Sequence, residues 1–192
     1  LGASVMSANP SQQGWDDYLV NGLAIGTHPS SNPPTFEAMG NHPEILANNY
    51  AVNDQAWFNV HITHNYKAGT LVYPHVHWSH DAIGNGEDVW FELSYTPAAG
   101  YSVGIFPAVT QFTLVGTPDA DADTHQIDEA SLAQAFNTNL VIDSIVLCRI
   151  KRIANGGTDF DGNVFIHYMD FHVEVDGRVT NERNIPHTKY GG

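Results

Sequence analysis

The sequence predicts an all-β protein, a single antiparallel β-sandwich of the jelly-roll type that follows an extended N-terminal arm. Three observations predict it. Apolar and polar residues alternate with a period of two from residue 57 onward, turn-forming residues separate these runs, and few stretches have helical periodicity. The 192 residues suffice for one domain with a hydrophobic core. About eight strands are expected, a number that suits a jelly roll.

The individual elements follow from the alternation, taken in chain order. The run 57–66 alternates apolar and polar residues, as a half-buried antiparallel strand does. The run 71–78 repeats the pattern after a turn at Gly69. A short helix is predicted at 129–136, with Asp128 as its N-cap. Further strands are expected at 89–95, 101–106, 110–115, 140–153 and 163–175.

The chain divides into an arm at 1–55 and a sandwich domain at 56–192. The first segment contains turn and breaker signals, such as the Pro33-Pro34 pair, and scattered aromatic residues such as Trp15. We therefore expect an extended arm that is held by aromatic anchors. An arm of this kind suits contacts with neighbouring subunits.

Composition limits the partners of the chain. The formal net charge is -14, with 7 basic and 21 acidic residues, so phosphate is repelled and nucleic-acid binding is excluded as the main activity. No basic amphipathic stretch or long apolar run predicts a membrane partner. Charged residues make up only 15% of the chain, which is typical of a surface covered by protein partners. The single cysteine, Cys148, excludes an intrachain disulfide and is expected in the core.

Two histidines on one predicted strand form the most distinctive motif. Side chains two residues apart in a strand share a face, so His75 and His77 point the same way, about 7 Å apart. Gly69, His75 and His77 together resemble the opening of the first cupin motif, in which a metal is bound inside a β-barrel. The motif's Glu is replaced near its position by Asp81, and the second cupin motif is absent. Because the opposite face of the strand is apolar, we expect the two imidazoles on the outer face of the sheet.

This outer face has two interpretations. Imidazole and carboxylate groups suit Zn, Fe, Ni or Mn, so one interpretation is a structural metal ion shared at a subunit contact. Its candidate ligands are His61, His75, His77, Glu92 and His167. The other interpretation, which we favour, is a packed subunit interface without a cofactor. Its candidate residues are Trp15, Trp57, Tyr73 and Trp90. No catalytic residue is identified.

One segment carries a resemblance to a known group of proteins. The stretch Tyr66-Lys-Ala-Gly-Thr-Leu-Val-Tyr-Pro-His-Val-His-Trp78 resembles a segment of uncharacterised virion proteins of tailed bacteriophages. The similarity extends to Trp90-Phe-Glu-Leu-Ser-Tyr95 and covers most of the chain. It implies a jelly-roll-like virion component without enzymatic activity, such as a head decoration protein or a part of the tail. The expected partners are further copies of the chain, as a trimer, and major capsid or tail proteins.

Two other functions stay open from the residues alone. A cupin-like metal-binding protein or enzyme would use His75 and His77 as ligands. A carbohydrate-binding β-sandwich would use Trp57, Trp78 or Trp90 as a platform for a sugar ring.

Overall fold

The computed structural model describes residues 13–18, 32–100, 104–136 and 140–176. Ten strands lie in this part of the chain, and none of its residues is helical. The prediction of an all-β sandwich is therefore confirmed. The strands are β1 (Gln13–Asp17), β2 (Thr35–Met39), β3 (His42–Asn49), β4 (Gln55–His61), β5 (Val72–His80), β6 (Val89–Ala98), β7 (Thr110–Gly116), β8 (Gln126–Glu129), β9 (Ile145–Ile153) and β10 (Val164–Asp176).

The strands form two antiparallel sheets with jelly-roll topology. The larger sheet has the order β2-β3-β10-β5-β8, with β1 also paired to β10, and the smaller has the order β4-β9-β6-β7. Strands β3 to β10 are thus paired in a nested way, β3 with β10, β4 with β9, β5 with β8 and β6 with β7. This nesting is the double Greek key of a jelly roll. The two N-terminal strands, β1 and β2, are additions to it.

The core lies between the two sheets and follows from the alternation. Even-numbered residues of β5 and β9 and odd-numbered residues of β6 point inward, and their apolar side chains are buried. Trp78 is the largest fully buried side chain, and its indole packs edge-on against Phe91 at 5.7 Å between ring centroids. The opposite residues of the same strands form the outer faces of the two sheets.

Several predicted elements differ from the structure. Strands β1, β2 and β3 fall within 1–55, so the described part of this segment belongs to the larger sheet rather than to a separate arm. No helix forms at 129–136, because Gln126–Glu129 pairs with β5 and the Asp128 carboxylate accepts a hydrogen bond from Trp78 Nε1. Residues 104–106 are not in a strand, and 101–103 lie outside the described residues. The described residues contain no helix of the length and apolarity that a membrane crossing requires.

Candidate functional site

The outer face of the larger sheet carries a cluster of histidines and carboxylates. His75 and His77 lie on β5, on the face opposite Val76 and Trp78, as the alternation predicts. Asp170 of β10 is directly opposite His75 in the register. These groups share a face because residues that are paired across two strands point to the same side of a sheet.

This cluster is buried, which corrects the expectation of an exposed assembly surface at these residues. The exposed fractions are 2% for His75, 6% for His77 and 3% for Asp170. Neighbouring rings on the same face cover the imidazoles. The ring of His172 lies 4.0 Å from that of His75, and the ring of Tyr168 stacks on His77 at 4.2 Å. The two histidines therefore cannot form a primary contact with another subunit.

Three polar atoms approach one another inside the cluster. His77 Nε2 lies 3.3 Å from Asp170 Oδ1, and His75 Nε2 contacts the same oxygen. Neither approach has hydrogen-bond geometry, and both His77 Nε2 and Asp170 Oδ1 are buried without a hydrogen-bond partner. Buried polar groups normally have such partners, so this set of atoms requires an explanation.

A second layer of side chains contacts the rings of His77 and His172, whereas His75 Nδ1 is buried without a hydrogen-bond partner. His77 Nδ1 lies 2.9 Å from His125 Nε2, so one ring nitrogen of His77 is engaged and the other faces Asp170. His172 Nε2 contacts Asp17 Oδ1 at 2.9 Å, and its Nδ1 contacts Glu129. Through His172, two further carboxylates lie close to the buried cluster.

Burial favours the neutral form of two of these imidazoles. The pKa of His77 is lowered from its ordinary value mainly by desolvation, and the Asp170 carboxylate opposes this shift only in part. The pKa of His167 is also lowered by burial, with smaller effects of His125 and His77. Neutral imidazole is the form that presents a lone pair to a metal ion.

The structure brings together only some of the predicted metal ligands. His61 belongs to β4 in the other sheet, where its Nε2 lies 3.3 Å from Asp143, and Glu92 forms an ion pair with Arg149 there. The expected single cluster is wrong for these two residues. His167 lies at the edge of the cluster and contacts Ser79 Oγ at 3.0 Å. Asp170 takes the place of Glu92.

Sequence reasoning missed Asp170 and His172, although a signal for them exists. In 168–173, polar residues at even positions alternate with Met169, Phe171 and Val173. This alternation places Asp170 and His172 on the outer face of their strand. The missing information was that β10, rather than β4 or β6, lies beside β5.

The outer face of the smaller sheet carries a groove of about 370 Å³ beside Trp57. A polar row crosses this face, because Trp57, Arg149, Ser94 and Gln111 are consecutive partners in the register of four strands. Arg149 Nη2 donates to Ser94 Oγ at 2.9 Å, and Gln111 Nε2 donates to the same oxygen at 3.0 Å. The groove thus combines one aromatic ring with an ordered set of hydrogen-bonding groups.

The other predicted aromatic sites differ in exposure. Trp78 is 0% exposed, which removes it from the expected sugar platform. Trp90 is half-buried on the face that also carries Trp57. Trp15 is 59% exposed and packs edge-on against Tyr73 at 5.7 Å, beside a small pocket of about 210 Å³. Trp15 and Tyr73 therefore stay available as interface residues.

The β2–β3 hairpin exposes apolar side chains on both of its faces. It contacts the body at its base, where Asn49 pairs with Phe165, and at its tip, where Asn41 Nδ2 donates to Asp123 at 3.1 Å. Between these points, Phe36 and Leu46 are diagonal neighbours on one face and are 62% and 51% exposed. Ile45, on the other face, is 58% exposed.

Comparison with known proteins gives no family. No protein-family model matches the chain, and no curated protein does. A solved structure of dimeric latent PorU from Porphyromonas gingivalis is similar at a TM-score of 0.38 and 8% identity, over 91% of this chain and 14% of that one. A xylan-binding module, CBM15, is similar at a TM-score of 0.33 and 17% identity, over 89% of this chain and 97% of that one. At these low scores neither likeness bears on function.

Proposed function

We propose that the chain is a non-enzymatic structural protein that assembles with copies of itself, as a trimer on the surface of a virion. The observation that carries the proposal is the exposed apolar hairpin β2–β3. Phe36, Ile45 and Leu46 are more than half exposed on strands that the fold otherwise holds in an ordered sheet. Large apolar side chains grouped in this way mark sites of protein contact.

The position of the hairpin at a sheet edge supports the same partner. In the described part of the chain, β2 ends the larger sheet, so one side of it presents unpaired backbone N–H and C=O groups. Such an edge pairs readily with another chain unless it is blocked by charge or proline. Glu37 is the one charged residue in β2. A contact of this edge with a different patch on the next copy forms a closed ring if the rotation is threefold.

The virion setting rests on the resemblance of Tyr66–Trp78 to phage virion proteins, not on the geometry. The jelly roll is compatible with it, since this fold is common in viral capsid domains, although it also serves lectins and cupins.

Light scattering coupled to size-exclusion chromatography tests the assembly. We expect wild-type protein to elute as a trimer at micromolar concentration and the double variant Phe36→Asp/Leu46→Asp to elute as a folded monomer. Ile83→Asp is the matched control, because Ile83 is 63% exposed but lies outside the hairpin. A monomeric wild type, or a double variant with the wild-type mass, would contradict the proposal.

A second function, carbohydrate binding, is favoured by the groove beside Trp57. An indole face stacks on the apolar face of a sugar ring, and the row of Arg149, Ser94 and Gln111 can hydrogen-bond its hydroxyls. Because Arg149 is also paired with Glu92, its guanidinium is held in place before a ligand arrives.

Isothermal titration with soluble xylan, mannan and β-glucan fragments tests this second function. We expect one class to bind and its Kd to weaken by about 10-fold or more in Trp57→Ala, as the loss of one aromatic contact predicts. Trp15→Ala is the matched control, since Trp15 is exposed on the other sheet. If no fragment binds to the wild type, or if Trp57→Ala binds with the wild-type Kd, the proposal of carbohydrate binding is contradicted.

A further inference from the structure

We infer that His75, His77 and Asp170 form a buried site for a divalent transition-metal ion, with Zn²⁺ as the best-fitting metal, inside a single subunit. This goes beyond the proposed assembly role. The ligand atoms are the imidazole nitrogens of the two histidines and one carboxylate oxygen, all within 4.8 Å of one another.

The separation of His77 and Asp170 matches that of two ligands in a tetrahedral metal centre, whereas His75 Nε2 lies closer to Asp170 Oδ1 than such a centre requires. Ligands about 2.0–2.1 Å from Zn²⁺ at the corners of a tetrahedron lie about 3.3 Å apart. His77 Nε2 and Asp170 Oδ1 are separated by 3.3 Å. Because this pair is close without being hydrogen-bonded, its lone pairs are free to be directed at a common ion.

The second layer has the form that metal-binding histidines require at His77, but not at His75, whose Nδ1 is buried without a hydrogen-bond partner. A ligating imidazole usually engages its other ring nitrogen with an acceptor, which fixes the tautomer. His77 meets this condition, since its Nδ1 lies 2.9 Å from His125 Nε2 and its Nε2 faces the site. Asp17 and Glu129, which both contact His172, add negative charge close to the cluster and so offset the charge of a divalent ion.

Asp17, His75 and His172 form a second set of ligand atoms within 4.8 Å. We assign the ion to the first set because its three residues are all buried, whereas Asp17 is exposed. In addition, both ring nitrogens of His172 are already engaged by carboxylates.

The burial of the first set also decides the role of the ion. His75, His77 and Asp170 are all at most 6% exposed, which leaves no open path for a substrate. The ion therefore stabilises the contact between β5 and β10 on the outer face of the sheet.

Metal analysis of the untagged full chain tests the site. After dialysis with excess Zn²⁺ and desalting, we expect about one Zn²⁺ per chain by mass spectrometry of the elements. Asp170→Asn and His77→Gln should each lose most of it. Asp17→Asn and His61→Gln should retain it, because Asp17 belongs to the second set and His61 to the other sheet.

A thermal measurement on wild-type protein keeps the test independent of variant folding. Zn²⁺ at about 100 times its Kd should raise the Tm of the metal-free protein by roughly 5–10 °C, and EDTA should reverse this. Less than about a tenth of an equivalent of bound Zn²⁺, an unchanged Tm, or equal retention in all four variants would each overturn the assignment.

Discussion

The hydrogen bond between Trp78 and Asp128 offers a sharp test of how β5 is held. Trp78 is fully buried, and its Nε1 donates to Asp128 Oδ2 at 2.6 Å. Asp128→Ala leaves the buried indole N–H without an acceptor, which lowers the free energy of unfolding by about 1–3 kcal/mol. A loss of about 2 kcal/mol lowers the Tm of a domain of this size by about 4–8 °C.

Asp128→Asn separates the hydrogen bond from the charge. The amide oxygen can still accept the indole proton, while the cost of burying a carboxylate disappears. Burial raises the pKa of Asp128, and the bond from Trp78 lowers it only in part. The folded protein therefore holds this proton more tightly than the unfolded chain, so the group's contribution to stability falls as pH rises above the unfolded pKa of about 4.

Denaturant unfolding at several pH values measures both effects. We expect Asp128→Asn to be at least as stable as wild type at pH 7, and its advantage to shrink as pH falls towards about 4. Asp121→Ala, which removes an exposed carboxylate, is the control and should change stability by less than about 0.5 kcal/mol. If Asp128→Ala unfolds like this control, the indole has another acceptor and the reasoning is refuted.

Three further predictions concern the core. Gly116→Ala should destabilise the fold by about 1–3 kcal/mol, because its Cβ would lie 2.6 Å from Trp78 Cζ2, whereas Gly157→Ala meets nothing within 4 Å and should be nearly neutral in urea unfolding. Arg152→Ala should lower the free energy of unfolding by about 3–5 kcal/mol in the same assay, because the guanidinium donates to three backbone carbonyls. Burial raises the pKa of the Cys148 thiol far above its usual range, so iodoacetamide should label it only after unfolding, and rapid labelling of native protein would contradict this.

The alternation of residues predicted a large part of the fold. The period of two in 71–78 placed His75 and His77 on the face opposite Trp78, and the structure agrees. Strand number and turn spacing predicted the jelly roll, whose nested pairing the structure confirms. These features depend on local sequence, which determines which way each side chain points.

Strand adjacency could not be predicted in the same way. His61 and Glu92 alternate just as His75 does, but β4 and β6 lie in the other sheet. Asp170 reaches His75 only because β10 pairs with β5 across about ninety residues of sequence. Asp128 has the sequence signal of a helix cap, yet the long-range bond to Trp78 and the pairing with β5 prevail.

The N-terminal segment was misjudged for a related reason. The strands β1 and β2–β3 show little alternation, because the hairpin is exposed on both faces and the partner of β1 is β10, the last strand in chain order. A segment that pairs with a strand far away in the sequence carries no local pattern that distinguishes it from an extended arm. Its exposed residues Phe36, Ile45 and Leu46 are nevertheless the ones on which the proposed assembly depends.

Native mass spectrometry of the full-length chain tests the central claim most directly, because one spectrum reports the number of subunits and any bound ion. We predict a trimer for wild type and a monomer for Phe36→Asp/Leu46→Asp. The mass of a zinc ion should stay with each chain in both cases, since the metal site lies within one subunit. A wild type that remains monomeric at micromolar concentration would contradict the account of assembly, whatever metal it carries.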